Sequence, residues 1–413
     1  MFRFIFPVIL PVLIFSVCSK SSNKSSDGNN ANHNEPVTVA DRNDLRRETV
    51  REGIEVTFYP AYGYRDGADW LIPIRSWVHE DRGLASRLIT RLAQKKVKCD
   101  GQEIDNLKFR IGDFPDDDKF NEKITIQFDS DPDKEQYQLG KSDVNGLIET
   151  ELRLSEAKTR KLLESQGSPR GWLTYRAVSK DHTGKGRIRL IEQEGVSVVT
   201  DIDDTIKVTQ IPSGKEIVLK NTFYRDFIPA AGMADMYREM GDASFHYVSG
   251  GPWQLYGPIY DFLISDTGGF PEGTFHFSYF PKNILGGDTR SILIQTLSGS
   301  LEKTYQHKLA QITNLMEKFP GRKFILIGDS GEIDPEVYRL IRDKYPQQVQ
   351  EIWIRDVVND AEVNPARLEG MKVIKVEPVI CATQSHYENL SEMIKRLNRP
   401  LYKKNRNPPC NQQ

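Results

Sequence analysis

The chain has 413 residues, which is enough for two folded units that each bury a core of their own. Its 56 Lys and Arg residues nearly balance its 58 Asp and Glu residues, and the formal net charge is −2. Such a balance gives no global basic field. Nucleic-acid binding is therefore excluded as the default interpretation, and any grip on an anionic ligand must be local.

Residues 1–18 have the pattern of an export signal. An apolar run from Phe4 to Val17 is too short to span a bilayer comfortably. Cys18 ends this run, and residues 19–45 follow as a polar, flexible linker. This order resembles a bacterial lipoprotein signal, although valine stands before the cysteine where that signal usually has Gly, Ala or Ser. We expect export, followed either by anchoring to a periplasmic or outer-membrane surface or by secretion.

The remaining cysteines are Cys99, Cys381 and Cys410. They are widely spaced and form no C-x-x-C motif, so a zinc site or a disulfide framework is not expected. One disulfide remains open, and the sequence does not decide which pair would form it.

Residues 46–194 are predicted to form a β-rich accessory domain. Aromatic and β-branched residues alternate with polar ones in short segments that Gly, Asp and Pro separate. The predicted strands are Glu55–Tyr62, Trp70–Val78, Lys123–Phe128, Gly146–Leu154 and Trp172–Ala177, with helices at Leu84–Lys95 and Glu156–Glu164. The pattern favours a sandwich of about seven strands with a helical insertion. It carries no catalytic constellation, so we expect a presenting or docking module.

The rest of the chain is organised around Val196–Thr205, which reads VSVVTDIDDT. A short apolar run that ends in carboxylates is typical of a buried parallel strand at the ligand-binding edge of an α/β sheet. Asp201 and Asp203 can approach one site there, and a hard cation such as Mg²⁺ would offset their repulsion. A solvated acidic loop is the plain alternative.

Strands and helices alternate downstream of this motif. The segment from Ile206 to Asp226 is rich in loop residues. The predicted strands are Phe245–Val248, Thr274–Phe277, Lys323–Ile327 and Glu351–Ile354, and the predicted helices are Met233–Met240, Trp253 to about Ser265, and Glu302–Phe319. This alternation predicts a doubly wound parallel sheet over residues 195–360. Residues 361–413 would complete or flank this catalytic domain.

Four ordered motifs carry a family resemblance. VVTDIDDT, Ser249 after a strand, Lys308 on a helix and GDSGEID after another strand are similar to the motifs of the haloacid dehalogenase (HAD) phosphohydrolases. Within that superfamily, DIDDTIKVT, YVSGGPWQLY, HKL and FILIGDSGEIDPEVY closely resemble the catalytic domain of actin-patch-type, Mg²⁺-dependent phosphatidate phosphatases, which are distant relatives of lipin. The match covers about residues 190–358. A β-rich domain ahead of the catalytic one also looks like bacterial members of that family.

The resemblance implies a role for each acidic residue of the motifs. Asp201 is expected to attack phosphorus and form an aspartyl-phosphate. Asp203 is expected to protonate the leaving oxygen and later to deprotonate the hydrolytic water. The implied cofactor is Mg²⁺, held by the Asp201 carboxylate, the Asp203 backbone carbonyl and Asp329. Asp334 is expected to support these ligands or to contribute through water.

The resemblance also implies a phosphate-binding set. Ser249, the N–H of Gly250 and Lys308 are expected to hold phosphoryl oxygens, and Lys308 would neutralise charge on the intermediate. Gly250 and Gly251 depart from the family pattern, because a Ser or Asn is expected at that point of the second motif. Taken alone, Lys308 could be a solvated helix lysine and Ser249 a turn residue or helix cap.

Three functions remain open at this stage. The first is an exported, membrane-tethered phosphatase that converts phosphatidate to diacylglycerol and phosphate. The second is the same enzyme acting on a soluble phosphomonoester. The third is a non-catalytic phosphatidate-binding module, against which intact Asp201 and Asp203 argue. Trp253, Tyr256 and Phe280 are candidates for an apolar rim at a membrane surface, although packing is the simpler role for each.

Overall fold

The computed structural model contains two β-sheets in the parts of the chain that it describes. These parts are residues 54–80, 101–111, 117–168, 170–179, 181–278 and 300–397. The predicted export signal, the polar linker and the predicted helix at Leu84–Lys95 lie outside them.

Ten strands form the first sheet, which belongs to the β-rich unit. They are β1 (Ile54–Phe58), β2 (Ala61–Asp66), β3 (Asp69–Glu80), β4 (Asp117–Asp118), β5 (Lys123–Phe128), β6 (Gln136–Lys141), β7 (Leu147–Ser155), β8 (Trp172–Ala177), β9 (His182–Thr183) and β10 (Lys185–Leu190). The order is β6-β5-β8-β10-β2-β3-β1-β9, and β4 and β7 both pair with β3. The β1–β9 and β2–β10 pairs are parallel, so the sheet is mixed. All five predicted strands are confirmed, the first as β1 and β2 separated at Tyr59 and Pro60.

Two helices accompany this sheet, α1 (Gly101–Ile111) and α2 (Glu156–Gln166). The predicted helix α2 is confirmed. Its first turn is capped by the Ser155 hydroxyl, which accepts the Lys158 N–H at 3.2 Å. Leu162 of α2 is buried among side chains of the sheet such as Ile126 and Tyr175. Helix α1 was not predicted, and it packs against residues 220–224 of the other unit instead.

Six strands form the second sheet, and all of its pairs are parallel. They are β11 (Val196–Thr200), β12 (Ser244–Pro252), β13 (Gly273–Ser278), β14 (Lys323–Asp329), β15 (Val349–Asp356) and β16 (Lys372–Lys375). The order is β13-β12-β11-β14-β15-β16, so the chain builds the sheet in opposite directions from β11. In a parallel sheet the crevice for a ligand lies at the carboxyl ends of the strands where this reversal occurs. The residues that follow β11 are therefore placed at that crevice.

Helices cover both faces of the second sheet. They are α3 (Lys215–Leu219), α4 (Met233–Arg238), α5 (Tyr256–Ile264), α6 (Leu301–Lys318), α7 (Asp334–Lys344), α8 (Asp360–Val363) and α9 (Gln384–Arg396). Successive residues of a strand point to opposite faces. Accordingly, Val198 joins one apolar cluster with Tyr237 of α4, whereas Val199 joins another with Ile312 of α6.

The predicted loop-rich segment from Ile206 to Asp226 needs a correction. It contains a 3₁₀ turn (Ile211–Ser213), helix α3 and a π-helical turn (Lys220–Tyr224). The segment buries Val218 and Phe223 and so gains tertiary contacts that favour compact turns. This segment forms one wall of the cavity described below.

The two units meet through hydrogen bonds and packed rings. The Phe275 N–H donates to the Pro60 carbonyl at 3.1 Å, and Asn314 of α6 donates to the Tyr62 hydroxyl at 2.9 Å. The Tyr62 ring also packs edge-on against Phe319, with centroids 5.4 Å apart. The β-rich unit is therefore in direct contact with the helix that carries Lys308.

Arg322 holds the segment that joins the units. Its guanidinium donates to the backbone carbonyls of Glu192 (2.9 Å) and Val196 (2.5 Å), contacts that of Glu194, and donates to the Ser197 hydroxyl at 2.9 Å. Arg322 is only 5% exposed. A buried guanidinium with this many acceptors fixes the entry of the chain into β11.

The region after β15 is built into the second unit. Strand β16 extends the sheet, and α9 packs beside α6. Cys381 is disulfide-bonded, and the other three cysteines lie outside the described residues. Within the described residues, no helix is both long enough and apolar enough to cross a membrane.

Candidate active site

The ends of β11 and β14 bring three predicted site residues together with Lys308. Asp201 follows β11 and its N–H donates to the Ile327 carbonyl of the neighbouring strand at 2.9 Å. Asp329 ends β14, and Asp334 begins α7. The Lys308 ammonium lies 2.8 Å from Asp201 Oδ1 and contacts Asp334 Oδ1.

Lys308 is buried, with 1% of its surface exposed, so a solvated helix lysine is ruled out. Burial favours the neutral amine, but Asp201 and Asp334 outweigh it and raise the pKa of Lys308 well above its ordinary value. Lys308 is therefore a fixed positive charge beside Asp201. Its ammonium is 3.8 Å from a further carboxylate, that of Glu332.

Asp201, Asp329 and Glu332 form a group that fits a metal ion, because each offers a carboxylate oxygen within 4.8 Å of the others. Asp329 Oδ2 is buried and makes no hydrogen bond. Burial, with the neighbouring carboxylates, raises the pKa of Asp329 well above its ordinary value. Burial likewise raises the pKa of Glu332 to about 7. Three carboxylates carry more negative charge than the single Lys308 ammonium offsets, and an all-oxygen set of this kind suits a hard divalent cation.

Glu332 was missed by the sequence reasoning. It lies inside GDSGEID, but only the two aspartates of that motif were assigned. Glu332 is a third acidic residue of this motif, and that position is the sequence signal that could have identified it.

Both carboxylate oxygens of Asp334 have partners within the protein. Its Oδ2 accepts the Asp329 N–H at 3.2 Å while Oδ1 faces Lys308. Gly328 makes this approach feasible, since a Cβ there would lie 2.3 Å from Asp334 Oδ2. The structure thus places Asp334 behind Lys308 and Asp329.

Asp203 has different partners from Asp201. Its Oδ1 accepts from the Thr209 hydroxyl at 2.5 Å and lies 2.8 Å from the buried Lys207 ammonium. Burial alone would raise the pKa of Asp203, but Lys207 and Thr209 lower it below its ordinary value. Asp201 instead faces Lys308 and the Thr205 hydroxyl, which donates to its Oδ2 at 3.2 Å. Lys207 and Thr209 lie within DIDDTIKVT but had been given no role.

The third carboxylate of the motif shapes the loop. Asp204 has a left-handed backbone, with φ at 57°. Its side chain accepts the backbone N–H groups of Thr209, Gln210 and Ile211 at 2.9, 2.7 and 2.6 Å. Arg355 contacts its carbonyl oxygen. Asp204 therefore points away from the cluster and fixes the loop that carries Thr209.

Ser249 and Gly250 lie near the end of β12. The Ser249 hydroxyl is buried and accepts the Gly251 N–H at 2.9 Å. A Cβ at Gly250 would lie 2.7 Å from Thr304 Oγ1 of α6. The close approach of α6 explains the glycine at a point where the family resemblance suggested Ser or Asn.

A cavity of about 550 Å³ opens beside these groups, and the buried Asp201, Lys308 and Asp329 are not among the residues that line it. Asp203, Ser249, Gly250 and Glu332 line it, which brings the proposed acid and the phosphate-binding motif to one space. The walls include the apolar side chains Val218, Phe227, Leu255, Ile259, Leu301 and Met393. Trp253 is buried and packs, as the simpler interpretation held, whereas Phe280 lies outside the described residues.

Residues after β15 support the metal-fitting loop, and no sequence motif had indicated them. Arg367 forms ion pairs with Glu336 (2.8 Å) and Asp360 (2.6 Å) and contacts two carbonyls of loop 330–332. His386 lies 2.7 Å from a third carbonyl of that loop, and burial lowers its pKa to about 4. The neutral ring therefore donates through Nε2.

Comparison with known proteins finds matches over the region that contains this site. Residues 196–356 match the family model described as "Phosphatidate phosphatase APP1, catalytic domain". Phosphatidate phosphatase APP1 of Saccharomyces cerevisiae is 29% identical over 180 residues, 42% of this chain and 28% of the yeast protein. "Uncharacterized protein C29B5.04c" of Schizosaccharomyces pombe is 27% identical over 179 residues, 42% of this chain and 27% of that protein.

These matches concern the catalytic region. This chain spans little more than a quarter of the length of either relative. A solved carbohydrate esterase structure aligns with a TM-score of 0.19 and 10% identity over 72% of this chain and 87% of that one, which is too low to carry an argument. The expected similarity to actin-patch-type phosphatidate phosphatases is confirmed for residues 196–356, and it supports a phosphatase-type hydrolase.

Proposed function

We propose that this chain is a Mg²⁺-dependent phosphatidate phosphatase that releases diacylglycerol and phosphate through an aspartyl-phosphate on Asp201. The observation that carries the proposal is a buried Asp201 paired with Lys308 at 2.8 Å, beside two further carboxylates that fit a cation. The HAD-like, doubly wound arrangement is part of the proposal. The all-parallel strand order and the helices on both faces support it.

The first step needs a nucleophile and a proton donor on different carboxyl groups. An Asp201 carboxylate oxygen would form the bond to phosphorus while the bond from phosphorus to the glycerol oxygen breaks. Asp203 would give its proton to that oxygen. In the second step Asp203 would take a proton from water as the water oxygen displaces Asp201 and releases phosphate.

Asp203 must gain a proton before it can act as the acid. Lys207 and Thr209 hold its pKa below the ordinary value in the free site. A phosphate dianion bound beside Asp203 would raise that pKa, because like charges disfavour the ionised carboxylate. Substrate binding would therefore prepare the acid.

The Lys308 ammonium would neutralise part of the negative charge of the substrate phosphate. Asp201, Asp329 and Glu332 would hold Mg²⁺ with the Asp203 backbone carbonyl, and the ion would supply positive charge to the phosphoryl group. Asp334 would orient Lys308. Ser249 and the Gly250 N–H would hold phosphoryl oxygens at the cavity floor.

The cavity supports a lipid as the substrate. Apolar side chains line the same cavity as the polar groups, as a phosphate with an attached acyl glycerol requires. A soluble phosphomonoester is the alternative substrate, and a non-catalytic phosphatidate-binding module is the alternative function. The intact pair of Asp201 and Lys308 favours turnover.

The deciding experiment measures phosphate release from phosphatidate vesicles and from soluble phosphomonoesters, with and without Mg²⁺. The proposal expects Mg²⁺-dependent release from vesicles that Asp201→Asn abolishes. Faster release from the soluble esters would shift the substrate class. Binding to phosphatidate without any release of phosphate would instead support the non-catalytic binding module.

The cellular location is proposed on sequence grounds. Export followed by lipid anchoring at Cys18 would place the enzyme at a membrane surface. The polar residues 19–45 would then act as a flexible tether between the anchor and the first folded unit.

A further inference from the structure

The backbone that carries the proposed phosphate-binding groups has little conformational restraint of its own. Residues 249–252, which we call the phosphate loop, read Ser-Gly-Gly-Pro. Ser249 pairs with Phe277 of β13. Pro252 pairs with Ser278, so the register shifts and the two glycines form a bulge. Glycine restricts the backbone less than any other residue. The position of the loop must therefore be set by the residues around it.

Trp253 follows this loop directly and packs against two aromatic side chains of the β-rich unit. Its ring is nearly parallel to that of Tyr59, with centroids 6.2 Å and planes 9° apart, and to that of Trp77, with centroids 6.0 Å and planes 22° apart. All three side chains are buried. Offset aromatic pairs at such separations stabilise a fold beyond the area that they bury. We infer that Tyr59 and Trp77 are positioning residues, which fix Trp253 and through it the phosphate loop.

Tyr59 is fixed by contacts on both sides of the boundary between the units. Its N–H donates to the Arg75 carbonyl of its own unit at 3.2 Å. The carbonyl of the next residue, Pro60, accepts the Phe275 N–H of β13 at 3.1 Å. The Tyr59 ring also packs edge-on against Tyr256 of α5, with centroids 5.3 Å apart. Tyr59 therefore contacts the residue that follows the phosphate loop and the helix that comes after it.

The Trp77 ring is fixed by a hydrogen bond and by a second stacked ring. Its Nε1–H donates to Asp118 Oδ1 at 2.9 Å. The His79 ring lies 3.8 Å from the Trp77 ring, centroid to centroid, with the planes 17° apart. Both contacts come from the β-rich unit. The surface that Trp77 presents to Trp253 is therefore set by the β-rich unit alone.

Arg75 gives the β-rich unit a second contact at the bulge. Its guanidinium lies 5.3 Å from the centroid of the Trp253 ring, within the range of a cation–π interaction. Its Nη1 lies 3.5 Å from the Phe277 carbonyl, and Phe277 is the residue paired with Ser249. Glu149 of β7 contacts the same guanidinium at 3.2 Å. The β-rich unit thus reaches the bulge from both of the strands that form it.

The inference deepens the proposed function and rests on it, because the loop matters to the reaction through the phosphoryl oxygens that Ser249 and the Gly250 N–H would hold. The β-rich unit would then belong to the scaffold of the active site, in addition to any docking role. The metal-fitting carboxylates follow β11 and β14, which are different strands. Phosphate binding should therefore depend on the Trp253 contacts, whereas Mg²⁺ binding should not.

The test compares three variants of the full chain. Tyr59→Leu removes the ring, Tyr59→Phe keeps it, and Phe58→Leu is the matched control. Phe58 is similarly buried, and its ring packs against Tyr175 inside the β-rich unit, with centroids 5.0 Å apart. Hydrogen exchange measured by mass spectrometry follows residues 249–256 without any ligand. Calorimetric titration measures the binding of Mg²⁺, and then the binding of inorganic phosphate in the presence of Mg²⁺.

We expect Tyr59→Leu to speed hydrogen exchange in residues 249–256 and to weaken phosphate binding, each by about three- to tenfold, which corresponds to the loss of one aromatic pair. Its Mg²⁺ affinity should match that of the wild type. With an activated aryl phosphate, KM should rise while kcat changes less, because the contacts to phosphoryl oxygens are also made in the ground state. Tyr59→Phe should restore the wild-type values, and Phe58→Leu should change none of them.

Two further variants widen the test. Trp77→Leu should act in the same direction as Tyr59→Leu. Arg75→Met, at a partly exposed position, is a milder change that should also act in this direction, and it serves as the second variant if Tyr59→Leu does not fold.

Three results would overturn the inference. The first is wild-type hydrogen exchange of residues 249–256 in folded Tyr59→Leu or in Arg75→Met. The second is faster exchange with an unchanged phosphate affinity. The third is an equal effect of Phe58→Leu, which would show that the change reflects a general loss of stability in the β-rich unit.

Failure of the proposed function would be recognised separately. A wild-type chain that binds no phosphate and hydrolyses no phosphomonoester would refute that function. The exchange measurement needs neither ligand nor turnover, so it would still decide whether Tyr59 positions residues 249–252.

Discussion

Two carboxylates separated by one residue have environments that suit different tasks. Asp201 faces the ammonium of Lys308, whereas Asp203 faces Lys207 and Thr209. Groups whose surroundings differ in this way commonly divide nucleophilic and acid–base roles. The separation of partners makes the two roles testable one residue at a time.

We expect Asp201→Asn to abolish turnover, because no carboxylate would remain for attack on phosphorus. Wild-type enzyme mixed with an activated aryl phosphate and quenched should yield a phosphorylated peptide that contains Asp201, detected by mass spectrometry. Phosphorylation of another residue, or normal turnover by Asp201→Asn, would show that the nucleophile is elsewhere.

Asp203→Asn should have a graded effect. An aryl phosphate with a good leaving group needs little protonation, so its first step should survive better than that of phosphatidate. The variant should then accumulate phosphorylated Asp201, because the base for the hydrolytic water is absent. An equal loss of rate for both substrates would argue against Asp203 as the proton donor.

The metal-fitting group gives a binding prediction that requires no turnover. Asp329→Asn should weaken Mg²⁺ binding more than tenfold, since even outer partners of metal ligands typically contribute 10- to 100-fold. Calorimetric titration with Mg²⁺ measures this, and a far-ultraviolet circular dichroism spectrum checks the fold. Glu302→Gln, an acid at the cavity wall outside the group, is the control and should bind Mg²⁺ normally. Unchanged binding by Asp329→Asn would remove Asp329 from the site.

Among the elements, α1 links the β-rich unit to the cavity wall. The Arg110 guanidinium lies 3.7 Å from the centroid of the Phe227 ring and donates to the Thr222 carbonyl at 3.1 Å. The Lys207 ammonium lies 4.9 Å from the same ring and pairs with Asp203. The ring is thus contacted by one cation from each unit.

Arg110→Met should loosen this wall, because it leaves buried carbonyls without a donor at a cost of about 1–3 kcal/mol. We expect faster hydrogen exchange in residues 220–227 and a larger loss of kcat for phosphatidate than for an activated aryl phosphate. Arg153→Met, which removes an exposed arginine of the same unit, should change neither quantity. Unchanged hydrogen exchange in Arg110→Met would show that α1 does not stabilise the cavity wall.

The elements that the sequence predicted are those with a local signal. Strands β11 and β14 combine an apolar run with terminal aspartates, and α6 has clear helical periodicity. Helix α1 was missed because its sequence is mostly polar, and its buried Asn106 and Arg110 are satisfied by distant residues of the catalytic unit. Interactions of that kind leave no periodic pattern in the chain.

The candidate site likewise contains residues that sequence motifs predicted and residues that no motif indicated. The four motifs brought Asp201, Ser249, Lys308 and Asp329 to attention because each follows a strand or lies in a similar motif. Arg367 was not predictable, because its role depends on reaching loop 330–332 from a region that carries no motif.

Across the whole molecule, buried histidines should make stability depend on pH. His246 and His276 are linked through Thr274 at 2.8 and 2.9 Å in the second sheet. Burial lowers the pKa of His276 to about 4, against 6.5 in an unfolded chain. Between these values the unfolded state binds a proton that the folded state does not, so stability falls as pH falls, by about 3 kcal/mol in total. Urea unfolding at pH 7 and pH 5 should show about 2 kcal/mol of this loss, and His276→Gln should reduce it. An equally steep loss in that variant would exclude His276 as a source.

The predicted anchor acts on the molecule as a whole. If Cys18 is acylated, the protein should partition with membranes, and Cys18→Ala should release it or leave the signal uncleaved. Fractionation of cells, followed by mass spectrometry of the N-terminal peptide, measures both outcomes. A soluble mature protein that begins downstream of Cys18 would rule the anchor out.

Arg322 has a consequence for anyone who wishes to produce the catalytic half alone. The family similarity begins at residue 196, yet the guanidinium of Arg322 depends on carbonyls as far upstream as Glu192. A chain that began at residue 196 would keep Arg322 but would lose two acceptors of its buried guanidinium, the carbonyls of Glu192 and Glu194. A stable shortened protein should start before Glu192 and should extend past residue 356 to include Arg367.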